Sequence, residues 1–555
     1  MMVFVAGATG AIGTQLLPRL VGKGHDVNRS QDGPLGSRRR NLVLGTMCVA
    51  LATVVSAVTS LNVALPGIAR DLHATLTQLQ WIVDAYAVVL AGLLLLSGAV
   101  GDRVGRRPVL LAGLAVFSAA AAVALVVNSP GALIAVRATM GLGAAAIMPS
   151  TLAIVTNVFP PDERDRAVAI WAGVAGASAL LGLIVSGALL EAFSWHSVFA
   201  FSSVLGLFAL VAAVAVAPNS TADHAPLDIV GGTLSVLALS TLVYGIIEGP
   251  DHGWSDPLTL AAFALAVALL GAFVAWELRS EEPLLDPRLF RLRGFGAGSA
   301  SITVQFFAFF GFVFVILQYL QFVLGYSPLK AGFALAPTAL VMMGLSRRVP
   351  RLLERYGPAR VAPPGLLLMA GGFAVFSTAG VSSGYLRLLI GLLLLGTGLA
   401  LATTPATTAI VSSLPQSKQG VASAVNDAAR EVGGALGIAV LGSALTGRYK
   451  AGVSTAAAHL PAQLAHAAKE ALPAALSIAH RVGPSGHQLA TAARAAFVDG
   501  LGLAMTIAAV AAAAVAAFVY WRAPSEVVAA GQDDVPAFQQ NKGTDDDRWD
   551  LSVQD

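Results

Sequence analysis

Fourteen apolar stretches, each long enough to cross a lipid bilayer, take up most of this chain. The hydrocarbon core of a bilayer is ~30 Å thick and takes about 20 apolar helical residues to span. Val109–Val127, Leu258–Trp276 and Leu501–Trp521 meet that test. Hydrophobic residues make up 56% of the 555 and charged residues 12%, too few charges to cover a soluble protein of this length. The expected fold class is an all-α polytopic membrane protein. Its function must be carried by the few polar residues left inside the spans.

The spans are expected near 42–66, 78–100, 108–127, 131–156, 167–190, 196–217, 227–247, 257–277, 297–322, 330–347, 361–380, 385–410, 421–445 and 496–521. Small residues recur within them, as in Gly173–Gly187 and Gly433–Gly442. They let helix backbones approach where lipid offers no hydrophobic drive between helices. Cys48 is the only cysteine, which excludes an internal disulfide and a cysteine metal cluster. The histidines, among them His196, His224, His252, His459 and His466, fall mostly between spans without zinc spacing. No metal site, cofactor or catalytic constellation is expected, and the chain is not expected to be an enzyme.

The net charge of +3 comes from arginines in short loops, which points to membrane orientation and not to nucleic acid. Arg38–Arg40, Arg103, Arg106, Arg107, Arg164, Arg166, Arg279, Arg288, Arg291, Arg293, Arg347, Arg348, Arg351, Arg355 and Arg360 share one side. On the other side Arg70, Lys330 and Arg387 are the exceptions. The positive-inside rule puts the arginine-rich side in the cytoplasm, and an even span count puts both termini there. A long loop at 447–495 is expected outside, and the acidic tail at 522–555 is expected to be disordered.

Residues 1–37 are anomalous. An apolar run meets Gly7, Gly10 and Gly13 and then a helical pattern, which resembles the opening of an NAD(P)-binding short-chain dehydrogenase or epimerase. A nucleotide crevice needs further parallel strands, and here a span arrives instead. A fusion remnant, or a start placed too far upstream, is the expectation. Deleting Met1–Ser30 should leave insertion and function intact, because Arg38–Arg40 still anchor the first span. A truncated protein that inserts normally but has lost its activity would show the segment to be functional.

The loop after the second span reads Gly98-Ala-Val-Gly-Asp102-Arg103-Val-Gly105-Arg106-Arg107-Pro. It resembles the cytoplasmic loop motif of the major facilitator superfamily. A tight glycine turn joins two helices, and Asp102 can pair with a neighbouring arginine or face a helix N-terminus. Further stretches follow in order: Asn62-Val-Ala-Leu-Pro66, Gln80-Trp81-Ile-Val-Asp84-Ala-Tyr86, Arg137-Ala-Thr-Met-Gly141, Tyr244-Gly-Ile-Ile-Glu248, Gly325-Tyr-Ser-Pro328, and Asn426-Asp427-Ala-Ala-Arg430-Glu431. Together they resemble the fourteen-span drug:proton antiporters of the EmrB/QacA type over about 40–525.

The resemblance implies two six-helix bundles, at 38–217 and 297–521, with two extra helices at 227–277 between them. It implies proton-coupled efflux of small amphipathic compounds across the plasma membrane, by a monomer powered by the proton gradient. Three departures bear on coupling. Ala57 stands where the family carries a first-span Asp, Met140 where it carries Gln, and Leu183 follows Gly182 where it carries Pro. Gly176, Gly182 and Gly187 keep the glycines of its antiporter helix. A dedicated exporter of one endogenous metabolite, such as an antibiotic, is the alternative. A membrane-tethered nucleotide-binding enzyme is a distant one.

A charged side chain within a span costs roughly 2.5–3.5 kcal/mol on insertion scales. Asp84 lies a turn into the second span and Arg137 inside the fourth. Asp427 and Glu431 are four residues apart and share a helix face, with Asn426 and Arg430 on the adjacent stripe. These six are the candidates for proton coupling or substrate contact. A carboxylate partly withdrawn from water can exchange protons near neutral pH. The competing readings are interfacial: a solvated helix start with its own ion pair for 426–431, and a snorkelling arginine for Arg137.

Overall fold

The computed structural model describes residues 36–221, 227–281, 283–414, 419–482 and 486–522. The glycine-rich segment around Gly7–Gly13 and the acidic tail after Arg522 lie outside the described residues. All regular elements among the described residues are helices. Fourteen are long and apolar enough to cross a membrane.

The N-terminal half holds α1 (Ser37–Asp71), α2 (Leu76–Val104), α3 (Arg106–Val123), α4 (Pro130–Val158), α5 (Pro161–Ala192) and α6 (His196–Val216). The linker hairpin is α7 (Ile229–His252) and α8 (Pro257–Arg279). The C-terminal half holds α9 (Arg293–Gln318), α10 (Pro328–Ala334), α11 (Ala336–Ser346), α12 (Val349–Tyr356), α13 (Pro358–Ser377), α14 (Tyr385–Ser412), α15 (Gln419–Ala457), α16 (Ala462–Glu470), α17 (Leu472–Val482) and α18 (Gly486–Arg522).

The termini follow local chemistry. A capping box starts α2: the Thr75 hydroxyl accepts from the Gln78 amide at 3.1 Å, and the Gln78 side chain accepts from the Thr75 amide at 3.0 Å. Ser129 caps α4 with Pro130 in its first turn, and Asp256 does the same for α8 with Pro257. The expected tenth span is broken into α10 and α11. Pro337 has no amide to donate, and Leu335 and Thr338 bond three residues back, at 3.3 and 3.2 Å.

Packing within each half is backbone to backbone. Gly113 of α3 and Gly143 of α4 face each other so closely that a Cβ on either would lie within 2.8 Å of the other's carbonyl oxygen. In the C-terminal half, Gly365 of α13 and Gly398 of α14 face each other likewise, a Cβ on either lying 3.0 and 2.5 Å from the other's carbonyl oxygen. Volume at these four positions would push the helices apart.

The linker hairpin sits at the seam. α7 packs on α2 of one half and α15 of the other, whereas α8 packs chiefly on α7. Ser235 donates to the Gly92 carbonyl at 3.2 Å, and Ser443 to the Ile246 carbonyl at 2.7 Å. Glu248 accepts the Trp81 indole N–H at 2.8 Å.

The segment expected as a loop at 447–495 is mostly helix, which corrects that expectation. α15 runs on to Ala457, α18 starts at Gly486, and α16 and α17 lie between them. The physical reason is amphipathic patterning: Val453, Ala457, Leu472 and Ala475 are fully buried, which a solvated loop would not need. Tyr449 donates to the Ala468 carbonyl at 2.8 Å and pins α16 to α15.

Candidate functional site

The two halves touch towards the arginine-poor end of the spans. Gln80 of α2 donates to the Ala439 carbonyl at 3.1 Å and to the Ser443 hydroxyl at 3.3 Å, and accepts from Thr446 at 3.3 Å, all on α15. Gln321, in the π-helical turn Tyr319–Val323 that follows α9, donates to the Val63 carbonyl of α1 at 3.1 Å. Gly187 of α5 lies on the Leu329 backbone, and Gly332 of α10 on the Leu183 carbonyl. An ionic network caps this end. Lys450 of α15 pairs with Asp251 of α7 and, at 2.9 Å, with Glu470 of α16, while Thr77 of α2 donates to Asp251 at 2.8 Å. No comparable tie between the halves is found at the arginine-rich end among the described residues.

Asp84 lies on one stripe of α2 with Gln80 and Val88, at four-residue spacing. Gln80 binds α15, and Val88 packs in a cluster with Ala435 and Ala439 of α15 and with Val243 and Ile247 of α7. Asp84 is therefore placed on the contact face of α2. It is fully buried, and neither carboxylate oxygen has a hydrogen-bond partner. Such burial does not fit a carboxylate at a solvated helix start.

Arg137 does not snorkel. It is buried at 1% exposure, with its guanidinium 4.2 Å from the centre of the Tyr86 ring. Its Nε donates to the Ile82 carbonyl at 3.0 Å, while one terminal nitrogen has no partner. Gly141 permits this by letting α4 rest on the Tyr86 backbone.

The acidic stripe of α15 is placed by glycines. Gly433 and Gly437 rest on the backbone of α9 at Thr303 and Phe307. That contact brings Arg430 over the Phe306 ring at 5.2 Å. Asn426 accepts from Thr407 of α14 at 3.1 Å and donates to Asp427 at 3.4 Å. The internal ion pair expected of a solvated helix start is not formed: Arg430 turns to the aromatic ring, at ion-pair distance from neither acid. Glu431 is partly exposed, has no hydrogen bond or ion pair, and lies within Coulombic range of Tyr86 on the opposite half. The structure thus sets Tyr86 and Arg137 across the seam from Asp427, Arg430 and Glu431, and leaves Asp84 apart in the closed end.

The loop motif stays within its own half. Gly105 has a φ of 122°, open to glycine at little cost, and a side chain there would meet Asn219. Arg106 pairs with Asp102 at 2.8 Å and donates to the Ala153 carbonyl at 3.2 Å. Arg107 reaches the Val214 carbonyl at 2.7 Å, and Arg103 is exposed. Gly98 and Gly101 face Pro149 and Ser150 of α4. Of the antiporter-helix glycines, Gly182 rests on Ser56 and Thr59 of α1, Gly187 crosses the seam, and Gly176 is exposed. Ala57 is buried.

Sequence reasoning missed Gln80 as the closing residue, Tyr86 as the platform for Arg137, and Gln305. Gln305 is fully buried, accepting from Thr403 at 2.7 Å and donating to Ser301 at 2.8 Å. Each is an uncharged polar group in an apolar run, the one signal that would have singled them out.

Comparison with known proteins agrees with this architecture. Residues 42–438 match the profile of the Major Facilitator Superfamily. The tetracenomycin C resistance and export protein of Streptomyces glaucescens is 35% identical over 519 residues, covering 90% of this chain and 94% of that protein. The multidrug efflux pump LfrA of Mycolicibacterium smegmatis is 36% identical, covering 86% of this chain and 94% of that one. The fold resembles the inward-facing, unoccupied crystal structure of a bacterial homologue of the human lysosomal transporter Spinster. The TM-score is 0.59 at 17% identity, over 88% of this chain and 98% of that one.

Proposed function

The chain belongs to the Major Facilitator Superfamily, and on that premise we propose that it exports small amphipathic compounds in exchange for protons. Substrate binds midway along the spans, between Tyr86 and Arg137 on one side and Asp427, Arg430 and Glu431 on the other. The halves rock about that point, as repeat-built transporters do. The observation that carries the coupling is Asp84, a carboxyl group with no partner inside the closed end.

A buried anion without counter-ion or donor costs several kcal/mol. In this reading Asp84 enters the closed end as the neutral acid, so closure at that end requires a proton. Glu431 is the acid that water reaches when the other end is open. A proton taken up at the arginine-poor side is thereby linked to the swing that exposes the site on the arginine-rich side. Ala57 leaves the interior of α1 without an acid, so α2 and α15 carry the coupling.

The related tetracenomycin C exporter supports a second reading, export of one metabolite made by the host cell; the related multidrug pump supports broad specificity. Purified protein in liposomes, given dyes and antibiotics with and without an imposed pH gradient, tests both. Accumulation of many unrelated compounds favours the broad reading and accumulation of one the narrow. No pH response with any compound would sink proton exchange.

In this reading the arginine-rich end faces the cytoplasm from the plasma membrane, with both termini on that side. A reporter fused after Arg293 or Arg360 should then be cytoplasmic, and one within Ala451–His487 external. Finding both on one side would overturn the orientation and the span count together.

A further inference from the structure

Two acids at the base of the linker hairpin take no part in the seam. Asp228 caps α7, its Oδ1 accepting from the Gly231 amide at 2.7 Å. The Trp276 indole N–H spans both of its oxygens, at 2.9 and 3.0 Å. Glu277 follows Trp276 on α8 and is buried at 1% exposure. Its Oε2 accepts from the Leu285 amide at 3.1 Å, while its Oε1 is buried with no donor. That free oxygen and Asp228 Oδ2 each lie 2.4 Å from where a Cβ on Gly231 would sit, so the two carboxyl groups face each other across a space that only glycine leaves open.

Ionised carboxylates only accept hydrogen bonds, so a half-buried Asp228 and a buried Glu277 set face to face repel unless a proton lies between them. Among the described residues no cation lies at ion-pair distance from either acid. Arg288 donates to the Leu278 carbonyl at 3.1 Å, and Asp286 accepts from the Arg288 amide at 2.9 Å. Between Asp228 and Glu248, α7 carries no charged residue. The groups acting on Glu277 are Asp228 and the amides of Leu284 and Leu285; Arg279, its charged neighbour on α8, is not among them.

We propose that Asp228 and Glu277 bind one proton between them, forming a proton site at the base of the α7–α8 hairpin, apart from the transport seam. The shared proton clasps the start of α7 to the end of α8. Through the Leu285 amide it also fixes the segment that leads into the C-terminal half. Removing the proton sets two anions against each other and opens the base.

The test uses the full-length protein in lipid nanodiscs. A carboxylic acid band should be present in the infrared spectrum at neutral pH and be reduced to the same extent in Glu277→Gln and Asp228→Asn. Asp84 and Glu431 are intact in both variants, so the result does not depend on how transport is coupled. Hydrogen exchange at the Leu285 amide is the second measurement. Corrected for intrinsic rate, its protection should fall about tenfold or more between about pH 6 and about pH 9 in the native protein. In Glu277→Gln it should stay flat, because the side-chain amide donates to Asp228 at any pH. An unchanged band in Glu277→Gln, or protection equally flat in the native protein, would overturn the proposal. Should Asp228→Asn fail to fold for want of its cap, Glu277→Gln alone decides.

Discussion

Glu431→Gln should abolish uphill transport while leaving downhill exchange measurable. One-for-one exchange with a proton supports about tenfold accumulation per pH unit, since each unit is worth about 1.4 kcal/mol. The variant should therefore stop at equal concentrations on both sides of the liposome membrane, whatever the imposed gradient. The structural ground is that Glu431 is the one acid at the seam that is both partly exposed and without any hydrogen bond or ion pair. Asp427, by contrast, accepts from Asn426 at 3.4 Å, so Asp427→Asn should reduce transport less. Asp84→Asn should fail differently. A neutral amide at Asp84 removes the need for a proton to close the arginine-poor end, so that end should close at any pH and uphill transport should again be lost. Native-like accumulation in both variants under a pH gradient would refute coupling through Asp84 and Glu431. Loss confined to cationic substrates in Glu431→Gln would recast that residue as a direct charge partner.

Gly187→Val should stop transport from the opposite direction, by holding the arginine-poor end open. A Cβ at Gly187 would lie 2.8 Å from the Leu329 Cα and 3.2 Å from its amide nitrogen. The obstacle is backbone, which cannot rotate away as a side chain can. Overpacking of this kind costs about 1–3 kcal/mol, enough to shift a two-state population about 5- to 150-fold. The strain falls only on the closed state, because α5 and α10 part when the halves do. The chain has one cysteine, Cys48, which is buried, so a thiol introduced at Ala439 is a clean reporter. Its labelling by a water-soluble maleimide should rise in the valine variant while folding and insertion persist. Gly173→Val is the control, since nothing lies within 4 Å of a Cβ there. Unchanged labelling and transport in Gly187→Val would remove Gly187 from the closing contact.

The spans were legible because crossing a bilayer is a one-dimensional requirement, met or failed by each run of residues independently. Fourteen spans are expected and fourteen are found. The same holds for the motif loop, where Asp102 and Arg106 meet at four-residue spacing, as one helix face dictates. The region at 447–495 was misread because its short helices gain stability by packing on α15 and α18, and their length and polarity alone resemble a loop.

The sequence by itself determined the membrane class, the number of spans and the small-residue faces. Each of these follows from the hydrophobic cost of a residue at its own position. The tertiary structure alone decided what the charges in those spans meet. Asp84 and Glu431 are both acids in apolar helices, yet one is sealed without a partner against α15 and the other is open to the seam. Arg430, which local spacing would pair with an acid, lies on Phe306 of another helix. Asp228 and Glu277, far apart in the chain and unremarked in it, meet because Gly231 leaves room for both. Partners of this kind are set by how helices cross, and a crossing depends on the summed packing of two surfaces that no single stretch of sequence contains.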